Sequence, residues 1–170
     1  MNRHRTTLLT DGRRDGLKVH VKRRTPMSDQ DNLRVARQGF DAWNAHDSNS
    51  FVKLIAEDYI AESDTQPAPL RGRDGARQSM EMYIKAFPDL HFHIEQMIAS
   101  DECVVTRWHA TGTHKGELMG IPPTGRRGEG IRGCTVSQYR NGKVVHEWLY
   151  WDVATLLRQI GVMPAPSRAV

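Results

Sequence analysis

The apolar and polar positions of this 170-residue chain change their period at Pro88. Before it, apolar side chains recur about every 3.6 positions, as on the buried face of a helix. This period predicts helices over residues 29–46, 50–57 and 72–87, with a short strand over 59–64 between the last two. Ser28 and Asp31 form a capping-box-like start to the first helix, and Ser48 or Asn49 caps the second. Pro88 ends the third.

After Pro88 the apolar positions alternate, which is typical of strands. Strands are predicted over 90–99 and 103–114, followed by a Gly- and Pro-rich loop and a hairpin over 130–152. The hairpin turns at Asn141-Gly142, and a last helix runs from 153 to 161. Helices followed by antiparallel strands predict an α+β fold, with helices on one face of a curved antiparallel sheet. Such a fold is a cone whose mouth is a natural ligand pocket.

Charge is concentrated at the N-terminus. Residues 1–26 carry eight Lys or Arg and two Asp, whereas the remainder carries 16 basic and 18 acidic residues. The folded part is therefore slightly acidic, so we expect no nucleic-acid partner. We interpret 1–27 as a disordered basic extension or as upstream translation of a gene that starts at Met27. The domain then spans 28–163, and 164–170 is a tail.

No apolar run approaches the ~18 residues that a membrane span needs, so we expect no membrane partner. Cys103 and Cys134 are far apart and form no CxxC motif. We interpret them as buried strand thiols of a cytoplasmic protein, with a single disulfide as the less favoured alternative.

Two motifs carry most of a family resemblance: GTHKGELMGIPPTGR at 112–126 and LLRQIG at 156–161. Together with Trp43-Asn44, Asp58-Tyr59 and Ala86-Phe87-Pro88-Asp89, they resemble the SnoaL-like polyketide cyclase family of the nuclear-transport-factor-2-like superfamily. The resemblance implies a cone-shaped α+β barrel, often a homodimer or homotetramer, with no metal and no cofactor. It also implies ring closure by an intramolecular aldol reaction with a buried aspartate as acid and base, or epoxide opening in other members.

Carried over residue by residue, the resemblance shows a departure. The acid/base aspartate of the aldol cyclases falls at Leu149, which cannot transfer a proton. The family's Gln and His on the partner strand fall at Gly133 and Thr135, and its Asn falls at Ala61. The aldol mechanism of the best-known members therefore lacks its usual groups here.

The turn at Asn141-Gly142 decides which side chains could replace them. A three-residue loop pairs Tyr139 with Lys143, and puts Glu147, Leu149 and Trp151 on one face with Thr135 and Ser137. A two-residue type I′ turn instead groups Trp148, Tyr150 and Asp152. We favour the first, because it places the family's trio on one face.

Four residues are candidates for catalysis, each with a structural alternative. Glu147 would have a raised pKa beside Leu149 and Trp151 and act as acid or base; alternatively it forms a surface ion pair. Asp152 is a second carboxylate, or only the N-cap of the last helix. His114 is a base or hydrogen-bond donor, or it pins the loop over 115–127. Tyr59 would donate to a substrate oxygen, or is a core tyrosine.

The predicted substrate wall consists of aromatic side chains and their neighbours: Trp43, Tyr83, Phe87, Trp108, Met119, Thr135, Leu149 and Trp151. His91 and His93 on one strand, with His109 on another, have a spacing that metal sites use. They lack a convincing third ligand, and we expect no metal.

The sequence thus favours a cofactor-free cyclase or isomerase that acts by acid/base chemistry on a small apolar, oxygenated molecule such as a polyketide. The first alternative is a non-catalytic small-molecule binder on the same fold. A dimerisation or scaffold module, the second alternative, predicts a pocket filled by aromatic side chains.

Overall fold

The computed structural model describes residues 28–164, which fold into a sheet covered on one face by helices. The N-terminal extension and nearly all of the predicted tail lie outside the described residues. The elements are α1 Asp29–Asn44, α2 Ser48–Lys53, β1 Ile55–Ser63, β2 Leu70–Arg71, α3 Gly72–Ala86, β3 His91–Ser100, β4 Cys103–Thr113, β5 Arg127–Arg140, β6 Lys143–Trp151 and α4 Val153–Gln159. The two-residue β2 was not predicted from the sequence.

Helix α1 begins at the predicted cap. The Asp31 amide donates to Ser28 Oγ at 3.2 Å, and the Ser28 hydroxyl donates to the Asp31 carboxylate at 2.8 Å. The helix buries Val35, Ala36 and other small side chains against the sheet. This face positions α1 as one wall of the interior.

Helix α2 differs from the prediction at both ends. Its N-cap is Asp47, whose carboxylate accepts from the Ser50 amide at 2.9 Å, so the cap is neither Ser48 nor Asn49. It stops at Lys53, because Ile55 already pairs with Val144 of β6. A strand partner far away in the sequence therefore overrides the local helical pattern.

The six strands form one open sheet in the order β2-β1-β6-β5-β4-β3 within the described residues. All neighbouring pairs are antiparallel except β1 and β6, which run parallel. The α+β fold with a curved sheet and helices on one face is confirmed, whereas the sheet is mixed rather than wholly antiparallel.

The hairpin turn between β5 and β6 is the alternative that we did not favour. Asn141 and Gly142 both have positive φ (52° and 75°), as a two-residue type I′ turn requires, and Arg140 pairs with Lys143. The predicted pairing of Tyr139 with Lys143 is therefore wrong.

A bulge beyond the turn restores the predicted face. Tyr139 pairs with Val144, but Gln138 pairs with His146, so Val145 is an extra residue in β6. The bulge reverses the alternation of all later residues of β6. The resulting pairs are Ser137 with Glu147, Thr135 with Leu149 and Gly133 with Trp151. Glu147, Leu149 and Trp151 thus share a face with Thr135, although each cross-strand partner lies two positions from the predicted one.

Two buried clusters hold the layers together. The larger one packs α1, α2 and α3 on the sheet, and the smaller one lies around α4 and includes Phe87, Leu118 and Ile160. Cys103 and Cys134 are free thiols and half-buried, less buried than predicted. Among the helices described here, none is both long and apolar enough to cross a membrane.

Candidate active site

A cavity lies between the sheet and the helices, with a volume of about 160 Å³. An enclosed apolar cavity of about 150 Å³ is large enough to bind benzene. This cavity is open on one side, so a longer flat molecule can extend through its mouth. The space is open, unlike the aromatic-filled pocket that the scaffold alternative predicts. Seven of the eight predicted wall residues line it: Trp43, Tyr83, Phe87, Trp108, Thr135, Leu149 and Trp151. Met119 does not, because it lies in the exposed turn between Leu118 and Ile121 and is 49% exposed.

Edge-to-face contacts fix the aromatic part of the wall. Phe92 packs its edge against Trp43 and Trp108, with ring centroids 5.6 and 5.0 Å apart. Tyr83 meets Trp151 at 6.3 Å and 78°. Such pairs add about 0.5–1.5 kcal/mol beyond the burial of area, so the wall is preformed. Phe92 and Tyr139 were not predicted as wall residues, although the strand alternation places Tyr139 on the face of Thr135.

Glu147 places a carboxylate in this apolar wall. Its Oε2 accepts from the Tyr59 hydroxyl at 2.5 Å, and its Oε1 accepts from the Ser137 hydroxyl at 2.8 Å. Tyr59 comes from β1 and Ser137 from β5, the strands on either side of β6. The carboxylate is thus held from both sides, and each oxygen keeps a further lone pair.

Burial sets the protonation of this group. Desolvation raises the pKa of Glu147 above its ordinary value, although the hydrogen bonds from Tyr59 and Ser137 oppose the rise. Burial and the nearby Glu147 charge raise the pKa of Tyr59 well above its ordinary value. The same two causes raise the pKa of Tyr139. Both tyrosines therefore stay protonated donors beside a carboxyl group that can accept or release a proton.

Trp108 covers the strand next to this group. Its indole Nε1 donates to Thr135 Oγ1 at 2.9 Å, and both side chains are buried. A Cβ on Gly133 would lie 2.3 Å from two atoms of the indole, so the ring occupies the space of a side chain at that position.

The family model described as SnoaL-like polyketide cyclase matches residues 33–160. The chain belongs to this family. No curated protein matches it.

Solved structures of other proteins share this fold. AclR of Streptomyces galilaeus, named as a hydroxylase, is 28% identical over 83% of this chain and 87% of its own, with a TM-score of 0.73. IdmH of Streptomyces antibioticus, named as a polyketide cyclase, is 30% identical over 77% of this chain and 99% of its own, with a TM-score of 0.67. A Catenulispora acidiphila protein with a ketosteroid isomerase-like fold is 16% identical over 76% and 93% of the chains (TM-score 0.65), and shows the fold alone.

The resemblance assigned the polar groups of the aldol cyclases to four positions, three of which line the cavity. Leu149, Thr135 and Ala61 line it, and Gly133 lies beneath Trp108. Thr135 is engaged by the indole.

Two carboxylates lie on the cavity wall. Glu62 is exposed and bonds to His146, whereas Glu147, two residues before Leu149 and on the same face, is held by Tyr59 and Ser137.

His114 lies outside the cavity wall. It is fully buried, its Nδ1 is 3.2 Å from Thr124 Oγ1, and its ring stacks on Phe87 at 5.2 Å. Its backbone also bonds to Gly125 and Arg126. Burial lowers the pKa of His114. This position agrees with the alternative in which the histidine pins the loop after β4.

Asp152 also lies outside the cavity wall and caps α4. The Thr155 amide donates to its Oδ1 at 2.8 Å and the Thr155 hydroxyl to its Oδ2 at 2.6 Å. These bonds lower the pKa of Asp152 and keep it ionised. The structure thus brings Tyr59 and Glu147 together and leaves Asp152 and His114 at the periphery.

The histidines of β3 and β4 form a separate surface row. His93 lies 4.6 Å from His91 and 4.8 Å from His109, measured between ring centroids, and His109 bonds to Glu95. Across the described residues, no group of three or more His, Cys, Asp or Glu side chains is placed to hold a metal ion.

Proposed function

We propose that this SnoaL-like protein is an acid/base cyclase or isomerase that uses Glu147 as its proton-transfer group. The observation that carries the proposal is the Glu147 carboxylate in an apolar cavity, held by Tyr59 and Ser137. A raised pKa brings a carboxyl group closer to neutral pH, where it can work as a base and then as an acid.

Ring closure would proceed without a change of oxidation state. The Glu147 carboxylate takes a proton from a carbon next to a carbonyl group, and the electron pair left on that carbon attacks a second carbonyl carbon of the same molecule. A carbon–carbon bond forms, the attacked oxygen becomes an alkoxide, and protonated Glu147 returns its proton. For an epoxide, protonated Glu147 would instead donate to the ring oxygen as its C–O bond breaks and an internal hydroxyl attacks the carbon. The Glu147 carboxylate then takes the proton of that hydroxyl.

The substrate class that we propose is a polyketide or a similar oxygenated secondary metabolite. The polyketide cyclase name of IdmH and the flat aromatic side chains of the wall support it. Hydroxylation, the reaction that the name of AclR states, would require an oxidant. Ring closure and epoxide opening need only the proton transfers that the cavity residues offer, and we therefore prefer them.

The test uses a substrate that requires only a base. In 5-nitrobenzisoxazole, loss of the C–H proton breaks the N–O bond and releases a coloured phenolate. We expect a rate above that of acetate at equal pH, rising with pH through the pKa of Glu147. Glu147→Gln should lower this rate by about 10²–10⁴-fold. Asp152→Asn, outside the cavity wall, is the matched control and should keep the rate.

Two outcomes would decide against the proposal. An unchanged rate in Glu147→Gln removes this residue as the base. A wild-type rate no higher than that of acetate, with aromatic ligands still binding, favours the non-catalytic binder instead.

We also propose that the protein forms a homodimer through the outer face of its sheet. Ile98, Val105, Val136 and Trp148 are consecutive cross-strand partners on this face, and Ile98 and Val105 are 55% and 37% exposed. An exposed apolar row of this kind is typical of an interface. Val105→Glu should then convert a dimer into a monomer in light scattering, and a monomeric wild type would contradict the proposal.

A further inference from the structure

Trp108 lies across strand β5 in a space that only glycine leaves free. Trp108 and Gly133 are direct cross-strand partners. A Cβ on Gly133 would lie 2.3 Å from Cζ2 and Cη2 and 2.8 Å from Cε2 of the indole. The φ of Gly133 is outside the left-handed region, so its backbone would accept alanine. Glycine is needed here for the room that it gives to the ring.

Two further contacts hold the indole in this orientation. Nε1 donates to Thr135 Oγ1 at 2.9 Å, and Phe92 meets the ring edge-on at 5.0 Å and 84°. The donor and acceptor atoms are buried, so water does not replace this hydrogen bond at low cost. Trp108 is 5% exposed and has little freedom to move.

This fixed ring lies next to the proposed catalytic group. Thr135, which anchors the indole, is two residues from Ser137, which donates to Glu147. All four side chains line the same cavity. The position of the indole therefore limits the size of a ligand beside Glu147.

We propose that Trp108, laid across Gly133 and anchored by Thr135, is a specificity-determining residue that sets how many fused rings the cavity admits. With the indole against β5, the cavity is at its widest. A side chain at position 133 would push the Trp108 indole away from β5 and into the cavity. The narrower cavity would then weaken binding of large ligands more than binding of small ones. This inference rests on the cavity being the substrate site of the proposed function, but binding alone tests it.

The experiment measures the dissociation constants of phenol, 2-naphthol and 1-hydroxyanthraquinone, which have one, two and three rings, by calorimetry. Gly133→Ala should weaken binding of the three-ring ligand by about tenfold or more and leave phenol within about threefold, since small changes of pocket volume change affinity by such factors. Trp108→Phe should have the opposite effect and strengthen binding of the three-ring ligand relative to phenol. The Gly133→Ala change should have little effect in the Trp108→Phe background, where the outer part of the indole is absent.

Gly75→Ala is the matched control. Gly75 lies in α3 outside the cavity wall, and a Cβ there makes only ordinary contacts with Leu70 at 3.6–3.7 Å, so no ring is displaced and the preference among the three ligands should stay. Equal losses of affinity for all three ligands in Gly133→Ala would overturn the proposal. An unchanged preference among the ligands in Trp108→Phe would also overturn it, and this second test does not depend on an overpacked variant that folds. Failure of wild-type protein to bind any of the three would also overturn it.

The same ligands separate this inference from the proposed function. Glu147→Gln should keep the preference among ligands of one, two and three rings, even where it abolishes turnover of 5-nitrobenzisoxazole. A preference that persists while Glu147→Gln keeps full turnover would leave the role of Trp108 standing and remove the role of Glu147.

Discussion

Removal of the Tyr59 hydroxyl should destabilise the fold by an amount that depends on the charge of Glu147. Tyr59 is 3% exposed, and its hydroxyl donates to Glu147 Oε2 at 2.5 Å. Tyr59→Phe deletes this donor and leaves the ring in place. A hydrogen bond to a charged group contributes about 1.5–3 kcal/mol, and one between neutral groups about 0.5–1.5 kcal/mol. We expect the higher range where Glu147 is ionised and the lower range where it is protonated.

The sign of the pH dependence follows from the raised pKa of Glu147. Because the folded-state pKa lies above the unfolded value, folding takes up a proton between the two values. Stability is therefore fully present at low pH and falls as the pH rises through the folded pKa. Tyr59→Phe removes a bond that lowers this pKa, so the folded value rises further and the extra loss of stability appears at high pH.

Urea denaturation from pH 4 to pH 9, followed by tryptophan fluorescence, measures the effect. The cost of Tyr59→Phe should grow with pH in the wild-type background. In the Glu147→Gln background the cost of Tyr59→Phe should stay, at every pH, within about 0.5–1.5 kcal/mol, the range for a hydrogen bond between neutral groups. Tyr150→Phe, at a tyrosine that is 53% exposed, is the matched control and should change stability by less than about 0.5 kcal/mol. The same cost at pH 4 and pH 9, or a pH dependence that survives Glu147→Gln, would refute the reasoning.

Three further changes test the structure outside this pair. Asp152→Ala removes the N-cap of α4 and should cost about 0.5–2 kcal/mol in urea denaturation, without lowering the rate on 5-nitrobenzisoxazole; a lost rate in folded protein would assign Asp152 to the chemistry. Gly39→Ala, inside α1 and free of any clash, should raise the free energy of unfolding by about 1 kcal/mol, and a lower stability would show that the helix needs the glycine. Burial lowers the pKa of His114, so stability should fall as the pH drops below about 6.5, the ordinary histidine value. His114→Gln should therefore reduce the difference in unfolding free energy between pH 5 and pH 7.5, and an equal difference in both proteins would contradict this cause.

Local signals predicted most of the elements. The capping pair Ser28 and Asp31 marked the start of α1, and the change of period at Pro88 marked the passage from helices to strands. The prediction was wrong where a distant strand decides the structure. Residues 55–57 fit a helical period, but Ile55 joins the sheet because it pairs with Val144, 89 residues further along the chain. Periodicity within a short window holds no information about such a partner.

The position of Glu147 in the cavity has a cause that alternation alone cannot reveal. A type I′ turn by itself would pair Glu147 with Val136 and direct it to the outer face, as the unfavoured alternative required. The extra residue, Val145, adds a second one-residue shift, and two shifts together leave the face of each side chain as the longer turn predicted. The predicted face was therefore right although the predicted turn was wrong. The bulge at Val145 is thus part of the candidate site, because without it the outer-face residue Trp148 would take the cavity position and Tyr59 would lose its acceptor.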